Sequence, residues 1–91
     1  MRKKPIAEQT AFLHGLLEQN VRAIVEFEEE VKVIVVSEAS LRLAFEVHVL
    51  STDMGLVLGG GGATADAIRR IVWTACKKTD WKRVDIEFVG A

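Results

Sequence analysis

Four consecutive glycines, Gly59 to Gly62, stand between a short apolar segment, Gly55-Leu56-Val57-Leu58, and an amphipathic stretch that begins Ala63-Thr64-Ala65-Asp66-Ala67-Ile68-Arg69. Ordering a glycine costs roughly 0.5–1 kcal/mol more than ordering an alanine, so a folded domain keeps such a run only where it needs bare backbone. Bare backbone at the start of a helix leaves N–H groups unpaired at the positive end of the dipole, an arrangement suited to phosphate.

Three kinds of loop could be written this way, and spacing separates them. A nucleotidase-type phosphate loop needs Gly-Lys-Ser/Thr after its glycines, but Gly62 is followed by Ala63-Thr64. A dinucleotide fingerprint fits by letters, since Gly60, Gly62 and Ala65 read G-x-G-x-x-A and Asp80 and Asp85 lie downstream. Its context fails, because the apolar run before the glycines is very short and the chain has too few strands for a doubly wound sheet. The third is the KH loop, in which Gly-x-x-Gly joins two short helices and clamps a few nucleotides by their backbone. Gly59 to Gly62 fits it, with Leu58 before the first glycine and Ala67-Ile68-Arg69 on the helix that follows.

The ordered set Asp53-Met54-Gly55-Leu56-Val57-Leu58-Gly59, Ala67-Ile68-Arg69 and Lys82-Arg83-Val84-Asp85-Ile86-Glu87 resembles the small bacterial KH RNA-binding proteins of the KhpA family, from about Leu16 to Val89. The resemblance implies a type II KH fold, a cytoplasmic role in RNA regulation as an RNA chaperone, a second KH-domain protein as partner, and links to cell shape and division. Members of that family carry basic or amide residues inside the loop and basic residues soon after it; this chain has Gly60-Gly61, Ala63 and Asp66 there.

The 91 residues, 49% hydrophobic, suit one domain with a small core, residues 1–91, led by a basic tail at 1–5. No apolar run approaches the ~20 residues that span a bilayer, and Met1-Arg2-Lys3-Lys4-Pro5 leads to Glu8 and Gln9 rather than a signal-peptide core; a soluble, cytoplasmic protein is expected. One cysteine, Cys76, excludes an internal disulfide and a cysteine-rich metal site, and no cofactor is expected. The net charge of −1 conceals an asymmetry. Residues 69–83 hold six basic residues against one acid, net +5, and residues 18–46 hold seven acids against three basic residues, net −4.

Periodicity yields the elements. Pro5 suits a first helical turn, and Ile6, Thr10, Leu13, Leu17, Val21 and Ile24 recur at helical spacing, so a helix is predicted over about 6–25. Val31 to Val36 is β-branched and reads as a strand; Leu41 to Val49 alternates, with Leu41, Leu43, Phe45, Val47 and Val49 inward. Ser51-Thr52-Asp53 offers cap chemistry for a short helix, Met54 to Leu58. A second helix follows the glycines to about Lys78, with Ile68, Ile71, Val72, Ala75 and Cys76 on its apolar face, and Lys82 to Val89 alternates as a last strand. The order α-β-β-α-α-β predicts an α+β protein of type II KH arrangement: a three-stranded mixed sheet with three helices on one face.

For function, the leading reading is noncatalytic binding of single-stranded RNA. Gly59 to Gly62 and Ala63 would admit the sugar-phosphate backbone, Val57, Leu58 and Ile68 would line an apolar groove for bases, and Arg69, Arg70 and Lys77 would add charge. Trp73, set among Arg69, Arg70 and Lys77, either covers the neighbouring helical turn or stacks on a base or a partner protein. The competing reading is a protein-interaction module, including a homodimer through the loop, because bare glycines let two backbones meet closely. Catalysis is the weakest class: nothing pairs a nucleophile with a base or gathers metal ligands, His14 has no nucleophile or carboxylate pair near it, and His48 reads as a solvated strand residue or a contact for a base or partner.

Overall fold

Leu13, Leu17 and Val21 sit one turn apart and lose all solvent contact, which is what holds α1 (Ile6–Arg22) against the rest of the computed structural model; the structure describes residues 1–91. It continues with β1 (Lys32–Ser37), β2 (Arg42–Val49), α2 (Met54–Leu58), α3 (Ala63–Cys76) and β3 (Arg83–Gly90). The sheet order is β1-β2-β3. β1 and β2 form an antiparallel hairpin with Val33 opposite Val47, and β2 and β3 run parallel with Phe45 beside Ile86, as a two-helix connection requires. This is the α+β, type II KH arrangement that the pattern predicts.

Leu43, Phe45, Val47 and Val49 point to one face of the sheet and are buried under the helices. With Leu13, Leu17, Val21, Val57, Ile68 and Val72 they belong to a single core of seventeen residues. The opposite face of β2 presents Arg42, Ala44, Glu46 and His48, with His48 Nε2 2.9 Å from Glu46 Oε1. On α1, His14 Nε2 lies 2.8 Å from the Val33 carbonyl oxygen, so this histidine joins helix to strand.

Several expectations change in the folded chain. Leu41 does not continue the inward row: it has φ +59 and is exposed, because the hairpin turns through two left-handed residues, Ser40 and Leu41. Ile71 and Ile6 lie on the predicted apolar stripes yet stay exposed, since each helix meets its neighbours over a narrower face than its apolar residues occupy. In β1 only Val33 is buried, whereas Ile34, Val35 and Val36 are exposed on an edge strand that bulges between Val35 and Ser37. Asp53 caps no helix. Its buried carboxylate instead accepts the Glu26 and Phe27 N–H groups, at 3.2 and 3.1 Å, and so anchors the chain after α1 to the start of α2. The basic tail is tied down by Arg2, whose guanidinium donates to the carbonyls of Lys77 and Thr79.

Two side chains of α1 position the turn between α3 and β3. The buried Gln9 amide donates to the Asp80 carboxylate at 2.8 Å while its carbonyl accepts the Asp80 N–H at 2.7 Å. The Trp81 indole N–H donates to the Thr10 hydroxyl at 3.0 Å. Trp81 is thus a buried plug at the turn before β3.

Candidate nucleic-acid interface

α2 ends at Leu58 because Gly59 adopts φ +51, ψ 141, which no helix can continue through, and its N–H closes the last turn on the Gly55 carbonyl. The Gly59 carbonyl then accepts the N–H groups of both Gly62 and Ala63, at 2.7 and 3.1 Å, folding the loop into a tight turn that leads directly into α3. Those two donors of the helix start are therefore occupied within the loop, whereas the N–H groups of Gly60 and Gly61 make no backbone hydrogen bond. Both residues are exposed, and nothing stands within 4 Å of where a side chain would project from either. The open donors thus lie one step earlier than the helix start to which the sequence points.

From the loop, α3 carries the remaining candidates along its exposed side. Arg69 is held in place: its Nε donates to the Ile86 carbonyl at 3.1 Å, its Nη1 to Asp66 at 3.1 Å, and its guanidinium lies 5.2 Å from the centre of the Phe88 ring. Arg70, one residue on, is exposed and has no carboxylate within 4 Å. Trp73 is 48% exposed, and the Lys77 ammonium sits 4.2 Å from the centre of its indole. The alternative in which Trp73 merely covers a helical turn is thus half realised, with one ring face occupied by Lys77.

A cleft of about 720 Å³ opens between this side of α3 and β3. Arg69, Arg70 and Trp73 form one wall, and Lys82, Arg83 and Val84 form the other. Glu46, Asp85 and Glu87 also reach it, so its charge is mixed rather than uniformly basic. Arg69 and Arg83 are each paired with a carboxylate, Asp66 and Asp85, which leaves Arg70 and Lys82 as the cations free to meet an anion.

The predicted site residues separate accordingly. Gly59 to Gly62, Ala63, Arg69, Arg70, Trp73 and Lys77 lie on the loop or on the accessible side of α3, and Leu58 is exposed beside the loop. Val57 and Ile68 do not line a groove: they are 0% and 2% exposed and hold α2 and α3 to the core. Leu56, 50% exposed, provides the apolar surface that was expected of them. Lys82 and Arg83 stood in the charge count and in the family resemblance but not among the site residues, and Arg42 was counted with the acidic segment; the outward places of Arg42 and Arg83 in alternating strands were the available signal.

A sequence model of the "KhpA/KhpB, KH domain" family matches residues 14–88. The chain belongs to that KH-domain family. Among curated relatives, this KH domain is 43% identical over 56 residues to an "RNA-binding protein KhpA" of Mycobacterium leprae, an alignment covering 62% of this chain and 69% of the relative. It is 41% identical over 63 residues to the protein of that name in Mycobacterium bovis, covering 69% and 78%. With the Borreliella burgdorferi protein of that name it shares 34% identity over 74 residues, covering 81% of this chain and 88% of the relative. No solved structure matches at the same stringency.

Proposed function

We propose that this KH domain is a noncatalytic binder of single-stranded RNA. The observation that carries the reading is the pair of open N–H groups at Gly60 and Gly61, on a loop that leads into the helix walling a cleft with Arg70, Trp73 and Lys82. The loop offers phosphate two backbone donors without side-chain obstruction. Trp73 offers an indole for base stacking, and Arg70, Lys77 and Lys82 supply charge along the way. Membership of a family whose relatives are named RNA-binding proteins supports it. Post-transcriptional regulation in the cytoplasm alongside a second KH protein is the cellular role that fits such a module; no helix is long and apolar enough to cross a membrane.

A salt titration of binding to a short single-stranded RNA tests this. With two or three phosphate contacts, log affinity falls against log salt with a slope near −0.7 per contact. Gly60→Asp with Gly61→Asp abolishes binding in a folded domain, and Gly60→Lys strengthens it. Absence of binding by the wild type at low salt defeats the proposal. A second reading, self-association across the loop, draws on the exposed Leu56 and Leu58; sedimentation equilibrium showing a dimer that Leu56→Ser with Leu58→Ser returns to monomer would favour it.

A further inference from the structure

Arg42 opens β2 and Arg83 opens β3, and the parallel register sets them side by side on the sheet face turned away from the helices. Like charges on adjacent strands are unfavourable unless something neutralises them. Arg83 turns to Asp85, its Nε lying 3.0 and 3.2 Å from the two carboxylate oxygens. Arg42 has no carboxylate within 4 Å, nor does the neighbouring Lys82. The three cations line one depression with the hairpin residues Ser37 and Ser40, and Asp85 is the only acid in its lining.

The depression is built by tertiary contact. The Lys82 N–H donates to the Leu41 carbonyl at 2.9 Å, joining the hairpin tip to the turn after α3. That hairpin tip holds Ser40 and Leu41 at φ +57 and +59, a conformation that costs a leucine energy and is kept where the surroundings demand it. Lys82, Arg83, Ala44 and Asp85 line both this depression and the α3–β3 cleft, so one surface passes into the other around β3, the edge strand on this side.

We propose that Arg42, Lys82 and the Ser40 hairpin form a second phosphate-binding site, which takes the backbone of a single-stranded RNA after it leaves the α3–β3 cleft. The inference rests on the reading of that cleft as the RNA site. A KH loop clamps about four nucleotides, and Ala63 and Trp73 are ten positions apart on α3, ~15 Å of helix, so a short strand is taken up between the loop and the cleft and only a longer one continues to the depression beyond it.

The test uses the full chain with two oligouridylates, of about four and about twelve nucleotides, measured by fluorescence anisotropy over a range of salt. Arg42→Gln, at an exposed side chain that lines the depression and not the cleft and whose loss leaves the thermal melt unchanged, should weaken the longer oligomer by about threefold to fivefold. The same change should flatten its salt slope by about 0.7, one contact's worth, and leave the shorter oligomer unaffected. If the longer oligomer keeps its affinity and slope while both oligomers bind, the second site is overturned and the cleft reading stands. If the substitution weakens both oligomers equally, Arg42 serves the cleft nucleotides and the separate site is overturned. Failure of either oligomer to bind the wild type at low salt overturns the cleft reading and the second site together.

Discussion

Thr64 occupies the space into which a side chain at Gly59 would project: a Cβ on Gly59 would overlap the threonine, 2.8 Å from its Cβ. Gly59 also has φ +51, so substitution meets both steric and backbone penalties. Gly61 shares the positive φ, at +68, but faces open space. Gly59→Ala should therefore cost about 2–4 kcal/mol in urea unfolding, and Gly61→Ala only about 1 kcal/mol. Equal losses would mean that the first glycine is not the joint between α2 and α3.

Trp73 is half exposed and stacked on Lys77, so its removal bears on binding more than on folding. Trp73→Ala should cost under about 1.5 kcal/mol of stability, against ~3–5 kcal/mol for a core tryptophan, while weakening RNA binding on the order of tenfold. On a Trp81→Phe background Trp73 is the sole emitter. Its fluorescence should peak to the red and respond to RNA; a blue, RNA-insensitive emission would remove it from the interface.

Leu41 carries a left-handed backbone that costs an ordinary residue roughly 1–2 kcal/mol, and its side chain is 40% exposed. Leu41→Gly should relieve the strain and raise stability by about 0.5 kcal/mol after glycine's entropic penalty. Thermal unfolding measures the sign directly, and a lower midpoint would show that the leucine packs usefully in the hairpin.

Cys76 is buried, and that burial pushes its thiol up from an ordinary value of 9.0, with the Thr79 hydroxyl pulling it partly back. The folded thiol thus stays neutral at a pH where the unfolded one ionises. The sign follows: stability is unaffected below the unfolded thiol's range and is lost as pH rises through about 9 and beyond. Urea midpoints of the wild type and Cys76→Ala should converge or cross as pH is raised from about 8 to about 10, because the variant lacks this component. Parallel pH profiles would contradict it.

The elements were legible because each depends on neighbours in sequence. Leu43 to Val49 alternates whatever lies across the sheet, α2 keeps its predicted limits because Gly59 stops it, and two helices between strands imply a parallel pair. The glycine loop was legible for the same reason. Depth was not. Val57 and Ile68 read as groove residues because being apolar near the loop does not say which side of a helix the core will claim; Ile71, equally apolar, was left outside. Asp53 read as a cap from its place before α2, yet its carboxylate went to the N–H groups of Glu26 and Phe27, donors that only the folded chain brings near.

Charge divides along the same line. The sequence by itself determined that residues 69–83 are basic and residues 18–46 acidic, since composition along a segment needs no fold. Only the tertiary structure decided which charges meet across elements. The Arg69–Asp66, Arg83–Asp85 and Lys77–Trp73 pairs are neighbours along the chain, but the fold fixes Arg69 on the Ile86 carbonyl and the Phe88 ring and sets Arg42, from the acidic segment, beside Arg83 at the basic end of the molecule. Periodicity and the charge pairs within one element are properties of nearby residues, whereas burial and the meeting of Arg42 with Arg83 belong to residues whose separation in space is set by the register of β2 against β3 and the packing of α3 across them.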